Sequence, residues 1–147
     1  MNKQKIVLSV LRYAMSFIFL WAFFDKLLGL GFATKTDMAW INGGSPTSGF
    51  LSFGTKGPFV DIFHSLAGVA IVDWLFMAGL LFVGLTLVFN KYVKWGCIAG
   101  SLMLFFMYLA LMLPQNNPII DDHIIYIIVL IYLALKDNDK MENVNII

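Results

Sequence analysis

The sequence predicts an all-α integral membrane protein, a four-helix bundle with a long extracytoplasmic loop between its first and second spans. Three observations carry this. Of 147 residues, 60% are apolar and 13% charged, against about 45–50% and about 25% in a typical soluble domain. Mean hydropathy is +0.83. Four runs reach membrane-spanning length, and so much apolar surface needs a non-aqueous environment.

The first span is expected at 6–28, interrupted only by Arg12. Lys3 and Lys5 ahead of it imitate a signal peptide, but the apolar stretch is too long and no small-residue cleavage site follows, so a retained helix is expected. Residues 31–58 are rich in Gly, Ser and Thr and read as a structured loop. From Phe59 to Phe89 the chain is almost continuously apolar, yet one helix of that length would measure about 46 Å, more than a bilayer needs. It divides into a short interfacial or re-entrant helix near 59–68, closing a loop segment of 31–70, and a second span at 71–89. The third span is expected at 95–113, stopped by Pro114, and the fourth at 119–135. Residues 1–136 thus form one membrane domain, and 137–147 are expected to be a mobile cytoplasmic tail.

An even number of spans puts both termini on one side. That side holds Lys3, Lys5, Arg12, Lys91, Lys94, Lys136 and Lys140, and the other only Lys26, Lys35 and Lys56. Positive flanks stay in the cytoplasm, so the expectation is a multi-pass cell-membrane protein, N-in and C-in. Net charge is +1 with no basic patch, which excludes nucleic acid as a partner. The single cysteine, Cys97, expected near the cytoplasmic face, excludes an internal disulfide, a dithiol redox centre and a Cys-rich metal site.

Asp25, Asp37, Asp61, Asp73, Asp121 and Asp122 lie on the outer side or at its boundary, as do His64 and His123. At 1.5 Å per residue, Asp25, Asp73 and His123 fall in the outer half of the bilayer, where ionisable groups are costly and face a bundle interior or water. Asp121 and Asp122 can be read as ordinary acidic residues at a helix start. That does not explain His123 and Tyr126, three residues apart on one helix face, where a histidine beside a carboxylate can handle protons. A structural histidine is the alternative. Asp25 and Lys26 point about 100° apart and seek different partners, with Asp73 or Asp122 within reach of Lys26; the alternative is an ordinary helix-end pair with Lys26 snorkelling. For Asp73 the alternative reading is the start of the second span, with Trp74 in the aromatic belt. Arg12 has no carboxylate at its depth and is expected to snorkel to lipid phosphate. Gly96 and Gly100 permit close helix packing. Axial haem ligation by His64 and His123 lacks any attachment motif, and no metal or haem is expected.

The stretches Phe24-Asp25-Lys26-Leu27, Leu30 to Thr34, Trp40 to Thr47, Gly57-Pro58-Phe59, Val72-Asp73-Trp74-Leu75 and Asn117-Pro118 through Asp121-Asp122-His123 to Tyr126 resemble the DoxX family of small four-helix membrane proteins, over roughly residues 6–136. That family is related to DoxD, the membrane subunit of an archaeal thiosulfate:quinone oxidoreductase. The resemblance implies a membrane redox protein, a quinone-linked oxidoreductase or its quinone-binding subunit, with a possible partner redox subunit and a possible homo-oligomer. The implied outer-leaflet site holds a quinone ring against Trp74, Phe76 and Phe59, with Trp40, Asp25, Lys26 and Asn117 around it, while His123 with Asp122, Tyr126 or Asp73 relays protons. The outer side carries more carboxylates than cations, which disfavours capture of thiosulfate itself. The alternative is a non-catalytic membrane anchor or scaffold for a partner enzyme complex, using the long loop as a docking surface. A small proton-coupled permease would need repeats that the sequence lacks.

Overall fold

The computed structural model describes residues 3–112, 117 and 119–144, with side chains described through residue 137. It is all-helical, 76% helix, with no strand among the described residues. The helices are α1 (Lys3–Leu28), α2 (Val60–Ser65), α3 (Ala70–Phe89), α4 (Val93–Ala110) and α5 (Asp122–Val144). Three of them, α1, α3 and α4, are long and apolar enough to cross a membrane.

The ends of these helices have local causes. α1 stops where Gly29 takes a left-handed φ of 66°; its N–H bonds the Asp25 carbonyl at 2.8 Å, and a Cβ there would lie 2.6 Å from Thr36 Cα. α3 stops at Asn90 (φ 55°), after which the Lys91 N–H returns to the Thr86 carbonyl at 3.2 Å, a Schellman-type end. α5 begins at Asp122 rather than the expected Ile119. Asn117 Oδ1 accepts the Ile119 and Ile120 N–H groups at 2.9 and 3.0 Å, a local turn that competes with helix. Asp121 is then the cap: its Oδ1 accepts the Ile124 N–H at 3.2 Å. At its other end α5 continues as helix through Val144, beyond the expected boundary at 136. The expected end of the third span and its stop at Pro114, together with Pro118, lie outside the described residues.

α1 packs on α3, α3 on α4, and α4 most extensively on α5, with a smaller contact closing α1 onto α5. Met15 and Phe19 of α1 meet Met77, Leu80, Val83 and Leu87 of α3, Cys97 and Leu104 of α4, and Leu130 and Leu133 of α5 in one buried cluster. Glycines allow the approach. A Cβ at Gly100 would stand 2.9 Å from Leu130, 3.1 Å from Val83 and 3.2 Å from Phe19, so this residue is where four helices converge. One at Gly96 would overlap the Thr86 hydroxyl. The outward faces are equally apolar: Phe17, Leu75, Leu102 and Ile128 are all exposed, the pattern of helices whose solvent is lipid.

Arg12 does not take the position expected of it. Its guanidinium donates to the carbonyls of Leu87 and Val88 at the end of α3 and lies 4.4 Å from the Tyr13 ring. An arginine at a helix C-terminus meets unsatisfied carbonyls and the negative end of the dipole, which is why no carboxylate is needed.

Candidate functional site

The polar residues gather where the C-terminal ends of α1 and α4 meet the N-terminal ends of α3 and α5, under residues 29–57. Asp25, 1% exposed, holds the start of this segment: its Oδ1 accepts the Phe32 N–H at 3.2 Å and its Oδ2 the Ala33 N–H at 2.9 Å. Thr36 adds a bond from its hydroxyl to the Gly29 carbonyl at 3.0 Å. Two short 3-10 turns, Thr36–Met38 and Trp40–Asn42, then carry the chain across, braced by Asn42 Nδ2 donating to the Thr36 carbonyl at 2.8 Å. Gly44 passes so close to the Met38 carbonyl that a side chain would not fit.

Asp73 in the first turn of α3 holds the middle. Its Oδ1 accepts the Ser45 hydroxyl at 2.9 Å, the Thr47 N–H at 3.2 Å and the Thr47 hydroxyl at 2.5 Å. Ser45 Oγ in turn accepts the Ser48 N–H at 3.1 Å. A wide π-type turn, Phe50–Gly54, follows, and the Lys56 N–H donates to the Ala110 carbonyl at 2.8 Å, fastening the segment to the end of α4. This is a lid tied to three helices, through two buried carboxylates and a backbone bond.

Lys26 sits beneath it. Its ammonium lies 5.8 Å from the centroid of the Phe76 ring, within the fields of both Asp25 and Asp73. Those carboxylates are occupied by the lid, and Lys26 has no hydrogen-bond partner among the described residues. At the same end of the bundle the Trp40 and Trp74 rings meet edge to face, with centroids 4.6 Å apart and planes at 73°. Trp40 packs on the core, and Trp74 turns an exposed face outward.

The other predicted residues form a second group at the start of α5. His123 Nδ1 lies 2.7 Å from Asp121 Oδ2. Toward an ionised carboxylate, which only accepts, Nδ1 is the donating nitrogen, and this contact orients the ring. The partner expected for His123 was Asp122, Tyr126 or Asp73, and the structure gives Asp121, because capping turns that side chain back over the first turn while Asp122 is exposed. Tyr126 packs against the core. The side chain of Asn117 is exposed, and its oxygen is spent on the Ile119 and Ile120 amides. No hydrogen bond among the described residues joins this group to Asp25, Lys26 or Asp73. Two clusters therefore stand where one was expected.

Sequence reasoning missed Asp121 as the histidine's partner and missed Ser45 and Thr47 as the donors to Asp73. A Ser-Pro-Thr run inside so apolar a chain is a signal that could have found the latter. Among the described residues no group of three His, Cys, Asp or Glu side chains is placed to hold a metal ion. No family model, curated protein or solved structure matches the chain.

Proposed function

We propose that this chain is a DoxX-type subunit of a quinone-linked membrane oxidoreductase, taking a quinone at its outer end among Lys26, Phe76 and the Trp40–Trp74 pair. In this reading α1, α3, α4 and α5 are four spans of the cell membrane, with both termini cytoplasmic and residues 29–57 as an extracytoplasmic lid. The apolar helical part of α5, residues 123–135, measures about 20 Å. The helix itself continues through Val144, so that α5 as a whole is about 34 Å long, enough to cross a hydrocarbon core of about 30 Å.

Lys26 is the observation that carries the reading. A quinone oxygen is an acceptor that needs donors, and Lys26 offers three N–H groups that no acceptor among the described residues takes. The Phe76 ring lies beside it, and the Trp40–Trp74 pair at the same end of the bundle adds aromatic surface suited to a flat ring. His123, oriented by Asp121 through Nδ1, exchanges the protons that accompany quinone turnover, and a partner redox subunit exchanges the electrons. The test is quinone extracted from purified protein, together with titration of a short-chain quinone. Lys26→Met should lower occupancy about tenfold, a loss of one charge-assisted hydrogen bond, whereas His123→Ala should keep occupancy and slow turnover. Unchanged occupancy in folded Lys26→Met refutes the site.

A second reading, a non-catalytic anchor for an enzyme complex, is favoured by one observation: both oxygens of Asp25, and Oδ1 of Asp73, are spent on tying down the lid. Such carboxylates are structural, and the ordered lid becomes a docking surface. Wild-type protein that binds no quinone yet assembles with a partner enzyme decides for this reading.

A further inference from the structure

At the end opposite the lid, the α3–α4 turn presents a surface that neither the bundle nor the outer site uses. Phe89, Tyr92 and Trp95 are 67%, 76% and 61% exposed, and Lys91 and Lys94, interleaved with them, are exposed as well. The turn is fixed. Tyr92 is held in the left-handed region at φ 55°, uncommon for a bulky residue, and its carbonyl accepts the Gly96 N–H at 3.1 Å. Arg12 braces the turn through the Leu87 and Val88 carbonyls, and Gly96 seats α4 directly on Thr86.

The charge carried by the turn itself is of one sign, and the acid whose field reaches this end of α4 is Asp137 of α5, at Cys97. From Trp74 through Ile120 the sequence contains no Asp or Glu, and Lys91 and Lys94 are its only charged residues. Nothing on α3 or α4 therefore neutralises them along this edge. Exposed rings interleaved with lysines at the end of two apolar helices suit the border between acyl chains and headgroups. There the amphipathic rings settle and ammonium groups meet phosphate.

We infer that the α3–α4 turn is a binding surface for anionic phospholipid, with Lys91 and Lys94 on the phosphate and Phe89, Tyr92 and Trp95 at the acyl border. The surface is independent of what the outer site holds. The test is native mass spectrometry of the full chain released from micelles containing equal phosphatidylglycerol and phosphatidylcholine, read as the ratio of the two lipid adducts. A basic residue at an anionic surface is worth about fivefold. Wild type should therefore favour phosphatidylglycerol, Lys91→Gln/Lys94→Gln should lose roughly 25-fold of that preference, and Lys91→Arg/Lys94→Arg should retain it. Lys3→Gln/Lys5→Gln removes equal charge elsewhere on the chain and should cost much less. As a readout that needs no lysine variant, the Trp95 emission (wild type minus Trp95→Phe) should be quenched more by brominated phosphatidylglycerol than by brominated phosphatidylcholine. Equal uptake of both lipids by wild type, equal quenching, an unchanged preference in the glutamine pair, or an equal loss in the Lys3/Lys5 pair overturns the inference.

Discussion

Replacing Asp73 with Ala should release the middle of the lid without unfolding the helices. One buried oxygen accepts three donors, from Ser45 and Thr47. A hydrogen bond to a charged acceptor contributes about 1.5–3 kcal/mol. The three are not additive, because two are hydroxyls that can turn to other acceptors once the carboxylate is gone. The Thr47 N–H cannot turn, and leaving it buried and unpaired costs about 1–3 kcal/mol. A total of about 3 kcal/mol is therefore expected, and it should appear as local opening, because the lid is held by discrete tethers rather than by the core. At 1.4 kcal/mol per decade this is about a 150-fold rise in opening. The assay is amide hydrogen exchange in detergent or nanodiscs, following peptides that contain residues 45–48. Exchange there should accelerate by about two decades, while α3 and α4 keep their protection. Asp25→Ala provides the contrast: its freed amides are those of Phe32 and Ala33, so acceleration should centre on 31–34. If Asp73→Ala leaves residues 45–48 exchanging within about threefold of wild type, the carboxylate does not hold the lid, and the account of the site fails.

Gly100→Val should lower stability by about 1–3 kcal/mol, since even a Cβ would press on Leu130, Val83 and Phe19 at once; denaturant unfolding in mixed micelles that shows no shift would refute four-helix convergence there. In a Cys97→Ala background, Phe53→Cys on the exposed lid should react with a membrane-impermeant maleimide added outside intact cells, and Lys91→Cys only after permeabilisation. The opposite pattern reverses the topology. Native Cys97, 1% exposed within the helix cluster, should resist the reagent from either side until the protein is unfolded.

Much of the scaffold was legible because it follows from periodicity and punctuation. The span expected at 71–89 is the helix Ala70–Phe89, and the break expected within 59–70 falls between α2 and α3. Gly96 and Gly100 pack as their spacing implied. The start of the last helix was misplaced by three residues because two consecutive capping side chains, Asn117 and Asp121, competed for it, and apolar content does not choose between them.

The amino-acid sequence by itself determined that this chain is helical and apolar enough for lipid, where its long helices run, and that its costly polar residues concentrate toward one end. Only the tertiary structure decided what each of them touches. Arg12 found the carbonyls of Leu87 and Val88, Asp25 the amides of Phe32 and Ala33, and Asp73 the hydroxyls and amide of Ser45 and Thr47. Most of these partners are backbone groups or small hydroxyls. Every residue carries the former and the latter rank low in any inventory of charge, so they become partners only where a helix ends or a loop turns back to expose them. That placement depends on how distant segments pack, which is why Lys26, with no such partner among the described residues, could be singled out from its neighbours only in three dimensions.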